Sequence, residues 1–202
     1  MLKVGLTGGI AAGKSIVGEM FVRLGAHLIQ ADQISHQLMQ PGQPVHKEVV
    51  RHFGSAILNP DQTVNRPKLA EAAFSGRIQE LNQIVHPAVV KRQREWMDEI
   101  GQSDPHAIAI VEAALILEAG FEGDFDRLIV VTCRPEQRAQ RWAQRMNLDE
   151  EKARLEVTRR MAAQLPDEAK IKAADYVVDN SGSLDETQKQ AGEIFAKLKQ
   201  EA

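Results

Sequence analysis

Gly8, Gly9, Ile10, Ala11, Ala12, Gly13, Lys14 and Ser15 follow one another as G-x-x-x-x-G-K-S. Glycines at these positions let successive backbone N–H groups curl around phosphate oxygens, an approach that larger side chains would obstruct. The lysine then reaches β- and γ-phosphates, the serine hydroxyl can bind Mg²⁺, and a helix starting there adds the positive end of its dipole. The bland alternative is a tight strand-to-helix turn with an incidental lysine, and the flanking sequence speaks against it. Residues 2–7 form a short apolar segment that predicts a strand. From Lys14 onward Ile16, Val17, Met20, Phe21 and Leu24 fall at helical spacing until Gly25 stops them. Strand, loop and helix in that order mark a nucleotide-binding loop, made of residues 8–15 and the adjoining Ile16.

Three further patterns suit phosphoryl transfer. Ligands of open parallel sheets sit beyond the carboxyl ends of the strands, and Asp32 follows the second strand pattern at such a tip. A carboxylate there can accept the proton of an attacking hydroxyl, or it can N-cap the helix expected over 33–39, and the two roles are compatible. Arg138, Arg141 and Arg145 fall at i, i+3 and i+7 and share one helical face, beside an apolar face of Ala139, Trp142, Ala143 and Met146. That suits a lid whose guanidiniums neutralise a transferring phosphate, and it equally suits a solvated surface with partners such as Glu136. Arg154, Arg159, Arg160 and Lys170 enlarge the local excess of cations, which fits an anionic ligand. Glu112 ends the third strand pattern, where it can orient Mg²⁺ through water or begin a helix. The six histidines show no H-x-x-x-H or Cys/His spacing, so no zinc site is expected.

These side chains need a scaffold. Strands are also expected over 26–30, 107–112, 128–133 and 176–179, each short, rich in β-branched residues and bounded by Gly, Pro, Asp or Asn. Five strands alternating with helices predict an α/β fold, a three-layer core around a mostly parallel five-stranded sheet. The stretch between the second and third strands is too long for one crossover helix and carries helical patterns near 45–53, 66–74 and 79–100. Residues 33–104 are therefore expected to form an inserted helical substrate-binding subdomain, and 134–172 a helical lid. Pro135 suits a first helical position, Asp149 with two glutamates opens the next helix, and residues 183–186 form a capping box. The closing helix offers Leu184, Ala191, Ile194, Phe195 and Leu198 to the sheet, while the His86-Pro87 pair predicts a helix boundary.

Composition sets the outer limits. With 202 residues, 43% hydrophobic and 26% charged, the chain suits one domain with insertions, and a net charge of -3 argues against a dedicated nucleic-acid binder. Cys133 alone can form no internal disulfide. The most apolar stretch, 107–117, is interrupted by Glu112 and falls short of the roughly 20 residues that span a bilayer. The start of the chain lacks a signal-peptide layout, so a cytoplasmic protein is expected.

Read together, the motifs resemble one family, dephospho-CoA kinase. The resemblance runs through LTGGIAAGKS at 6–15, ADQISH at 31–36, PG at 41–42, FG at 53–54, NR-x-x-L at 65–69 and HP at 86–87. It continues through LILEAG at 115–120, R-x-x-x-R at 141–145, R-x-x-x-Q at 160–164 and ADYVVDNSGSL at 174–184. It implies transfer of the ATP γ-phosphoryl group to the ribose 3′-hydroxyl of dephospho-CoA, with Mg²⁺. By the same resemblance Asp32 is the candidate base, Lys14 and Ser15 belong to the ATP-Mg²⁺ loop, and Arg141 and Arg145 are lid arginines. Arg66 and His86 are implied substrate contacts within a CoA-binding insertion. The expected partners are these small molecules, with no nucleic acid and no membrane, in a monomer or weak homo-oligomer. Two positions depart from the family pattern. Gln30 stands where a first aspartate is common, so a mechanism using Asp32 alone survives, and Ile16 stands where threonine is common.

Two rivals differ in specific ways. A P-loop kinase acting on a nucleoside monophosphate would also welcome lid arginines, but the pieces at 65–66 and 86–87 favour the CoA pathway. A GTP-driven switch would need N-K-x-D, which is absent, and the D-x-x-G at 179–182 comes after the last strand.

Overall fold

In β1 (Leu2–Gly8) the apolar residues Leu2, Val4 and Leu6 take every second position, and all three lie in the larger buried cluster. The computed structural model describes residues 1–74 and 76–202, and only the backbone of Phe74. β1 runs through the glycine-rich loop into α1 (Lys14–Leu24), which stops at Gly25 in a left-handed conformation, φ 111°. The elements that follow are β2 (His27–Gln30), α2 (Ala31–Leu38), α3 (Pro44–Phe53), α4 (Arg66–Phe74) and α5 (Ile78–Ser103). Next come β3 (Ile108–Glu112), β4 (Arg127–Thr132), α6 (Pro135–Met146), α7 (Glu150–Ala162), α8 (Asp167–Ala173), β5 (Tyr176–Asp179) and α9 (Leu184–Glu201).

The five strands form one parallel sheet in the order β2-β3-β1-β4-β5, with Val4 opposite Ile110, Leu6 opposite Ile129 and Val130 opposite Val177. On one face α1 supplies Val17, Met20 and Phe21, and α9 supplies Ala191, Ile194, Phe195 and Leu198. The Phe21 and Phe195 rings lie 6.5 Å apart between these two helices. On the other face Leu128 and Val130 of β4 meet Ile116, Leu117 and Phe125. The result is the expected three layers, with the carboxyl ends of β1 and β3 side by side.

By its internal contacts the chain divides into two compact units, one of residues 1–29 and 99–202 that holds the sheet, the other Gln30–Asp98. The second unit buries Ile34, Val45, Val49, Ile57, Leu69, Val89 and Met97. Within it the Asn65 N–H donates to Ile57 O at 2.8 Å, and the Arg77 guanidinium lies 4.6 Å from the Phe53 ring centre.

Three local expectations need correction. α2 begins at Ala31 with Gln30 as its N-cap, so Asp32 sits inside the first turn and is not the cap. Pro87 lies inside α5 and does not bound a helix. An interior proline costs about 3 kcal/mol, but Val85, Val89, Val90 and Met97 bury on both sides of it, and each contributes roughly 1.5–3 kcal/mol. Leu184 is 60% exposed, because as the first residue after the Ser183 cap it precedes the turns of α9 that pack on the sheet.

Candidate active site

Backbone geometry makes the loop before chemistry uses it. Ala11 and Gly13 both take positive φ, 55° and 99°, and the Ala12 N–H turns back to Gly9 O at 3.2 Å. Lys14 arches over the same turn, its Nζ donating to Gly8 O at 3.1 Å and to Gly9 O at 3.4 Å. Ser15 Oγ donates to Glu112 Oε1 at 2.9 Å. Glu112 is the last residue of β3, buried and in register with Leu6, and turns follow it instead of a helix. The helix-starting reading of Glu112 is therefore set aside. Its carboxylate stands beside the loop hydroxyl.

The loop is fastened by Arg141, expected as a lid arginine, and by Asn180, which the sequence left without a role. Ala12 O accepts Asn180 Nδ2 at 2.9 Å and Arg141 Nη1 at 3.3 Å, and Arg141 Nη2 also donates to Asn180 O at 2.8 Å. Asn180 is buried, and its Oδ1 accepts the Thr187 hydroxyl at 3.1 Å. It follows β5 directly, so the rule that ligand sites gather beyond strand carboxyl ends could have found it. Cys133, which the sequence showed only to be without an internal disulfide partner, places its thiol 3.8 Å from Ala11 O.

This packing gives the last loop glycine a second reason to be glycine. A Cβ on Gly13 would overlap Asn180 Nδ2, in addition to the strain of φ 99°. We expect Gly13→Ala to destabilise the ligand-free protein by about 2–4 kcal/mol, a Tm loss of roughly 5–15 °C. Gly42→Ala is the control, since φ is 91° there and nothing stands within 4 Å of a Cβ. Equal losses in the two variants would remove the Asn180 contact from the account.

The arginine face divides. Arg138 is fully buried and ion-paired with Asp167, so neither the phosphate-facing nor the solvated reading with Glu136 describes it. Arg145 is exposed, with its guanidinium 5.9 Å from the Trp142 ring centre, and Arg160 lies over the same ring at 4.9 Å. Lys170, counted among cations for an anionic ligand, is fully buried and pairs with Glu118 at 2.7 Å. Spacing identified which residues share a face but not the direction in which each part of that face turns.

The remaining candidates belong to the Gln30–Asp98 unit. Asp32 is exposed, and His36 one turn later is half-buried. Burial and then the Arg66 charge push the His36 imidazole below its ordinary value of 6.5, against the opposing pull of Asp32. Those three groups are thus in electrostatic reach of one another. Burial likewise lowers His86, on α5, from 6.5, so both rings favour the neutral form more than a free imidazole does. Among the described residues no group of three or more His, Cys, Asp or Glu is arranged to hold a metal ion. No helix among them is long and apolar enough to cross a membrane.

Comparison with known proteins gives one consistent result. A family model described as dephospho-CoA kinase matches residues 2–186. A dephospho-CoA kinase of Corynebacterium efficiens is 38% identical over 200 residues, covering 98% of each sequence. A solved Thermus thermophilus protein, TT1252, superposes with TM-score 0.80 at 29% identity, covering 98% of this chain and 97% of its own. Dephospho-CoA kinase from Campylobacter jejuni shares the fold, with TM-score 0.70 at 23% identity and 98% of each chain covered.

Proposed function

The chain belongs to the dephospho-CoA kinase family, and from that premise we propose how its residues divide the reaction. The activity is ATP-dependent phosphorylation of the ribose 3′-hydroxyl of dephospho-CoA, giving coenzyme A and ADP. Residues 8–15 with Ile16 hold ATP, the loop amides and Lys14 neutralising its β- and γ-phosphates. Asp32 accepts the proton of the attacking hydroxyl, and Arg66 and His86 contact the acceptor within a CoA-binding insertion, 33–104. Residues 134–172 act as the lid. In it Arg141, tied to the Ala12 and Asn180 carbonyls, keeps the loop in shape, and Arg145 meets phosphate charge from the exposed side. The protein works in the cytoplasm as a monomer or weak homo-oligomer.

The observation that carries this reading is the Ser15–Glu112 hydrogen bond, 2.9 Å, beside Lys14. A hydroxyl and a carboxylate are hard oxygen donors of the kind Mg²⁺ takes, so these two residues would hold it. When bound, that ion supplies positive charge to the β- and γ-phosphates.

One assay tests the assignment. ADP release from MgATP should require dephospho-CoA and stay at background with AMP, CMP or dTMP, and GTP alone should not turn over. In the same assay Glu112→Gln should raise the half-saturating Mg²⁺ concentration about tenfold. Turnover with a nucleoside monophosphate in place of dephospho-CoA would move the protein to the rival kinase class, and an unchanged Mg²⁺ requirement would remove Glu112 from the metal site.

A further inference from the structure

Two connections reach the first corner of the phosphate loop from the segment that follows α7, and the reaction as described uses neither. Gln164, two residues beyond α7, accepts the Ile10 N–H through Oε1 at 3.2 Å. Asp167, the first residue of α8, is ion-paired with Arg138. The Arg138 guanidinium in turn lies so close against Gly9 that a Cβ there would overlap its Nη1.

The segment that makes these contacts is itself held at a second point. Glu118 Oε1 accepts the Leu165 N–H at 3.0 Å and pairs with Lys170 Nζ at 2.7 Å. Arg138 and Lys170 are both fully buried. Burying a cation costs several kcal/mol unless it is well paired, and apolar side chains of similar size usually hold a helix in place at least as well. Fastening a helix therefore does not by itself explain two buried cations. Their arrangement has a more specific effect: it fixes residues 164–167 against residues 9 and 10. Gly9 matters because its carbonyl accepts the Ala12 N–H at 3.2 Å and lies 3.4 Å from Lys14 Nζ. A shift of the Gly9-Ile10 corner would move both the turn and the perch of the lysine.

We propose that Gln164 is a positioning residue for phosphoryl transfer, which together with the Asp167–Arg138 pair clasps the Gly9-Ile10 corner in the shape that receives the phosphates of ATP. The clasp rests on the reading of residues 8–15 as the ATP site.

The test is steady-state kinetics and melting of Gln164→Met, Asp167→Asn and their double variant. Gln164→Met keeps length and removes the acceptor. One neutral hydrogen bond is worth about 1 kcal/mol net, so its Tm should move by only a few degrees. The KM for ATP should rise about tenfold and kcat fall several-fold, with the KM for dephospho-CoA unchanged. Because both legs grip one corner, the double variant should lose less than the product of the two single losses. KM for ATP and kcat within about twofold of the parent, whatever happens to Tm, would reduce Gln164 to a structural tie and overturn the proposal. If Gln164→Met does not fold, Asp167→Asn, which leaves Arg138 an amide acceptor, carries the same comparison. Lys14→Ala is run beside them. Lost turnover there with parental kinetics in Gln164→Met sinks the clasp alone, whereas full turnover in a folded Lys14→Ala sinks the loop reading and the clasp with it.

Discussion

Lys14→Ala abolishes turnover, lowering kcat by about 10³-fold or more, while the protein stays folded. Two facts set this expectation. Lys14 Nζ is held at 3.1 and 3.4 Å by the carbonyls of Gly8 and Gly9, on the turn whose amides would receive phosphate oxygens. Its charge is thus fixed before nucleotide arrives, and preorganised charge acts on the transition state without a cost of reorganisation. Lys14 is also only half-buried, so the carbonyls it leaves can find water. A hydrogen bond to a charged donor contributes roughly 1.5–3 kcal/mol, which limits the expected Tm loss to several degrees. Circular dichroism and melting establish the fold, and ADP release with dephospho-CoA establishes the loss. Full rate in a folded variant would eliminate the loop from the mechanism.

Local information decided what could be read in advance. The strands were legible because short runs rich in β-branched residues, closed by Gly, Pro, Asp or Asn, mark a strand without reference to the rest of the chain, and β3 and β5 lie where those runs fall. Caps were legible for the same reason: the Asp149 side chain accepts the Lys152 N–H, and Ser183 and Glu186 close their capping box. Pro87 was misread because proline's local preference is real but smaller than the burial on either side of it. Arg138, Lys170 and Asn180 could not be placed, since their partners Asp167, Glu118 and Ala12 are distant in sequence and come near only once the sheet orders its strands. Of the candidate site, the loop was visible as a motif. The apparatus that holds it was not, because buried polar pairs have no sequence period.

Asp32→Asn should lower kcat by about 10²-fold or more and leave ATP affinity unchanged. The substitution keeps the size of the side chain but removes its negative charge and with it the ability to take a proton, so a loss of this size in turnover, with little change in melting, belongs to the chemical step. The rival role, helix capping, is weakened by the position itself. Gln30 holds the N-cap of α2, and Asp32 lies two residues further on with its side chain exposed. What remains for a structural role is the attraction of a first-turn carboxylate to the helix dipole, about 0.3–1 kcal/mol, a Tm change of a few degrees at most. The two roles therefore separate in measurement, one in turnover and the other in melting. Gln30 sharpens the case, because with no carboxylate at that position Asp32 has no neighbour two residues earlier to take over the proton. Normal turnover with a small drop in Tm would return Asp32 to the helix and leave the acceptor hydroxyl without a carboxylate base on α2.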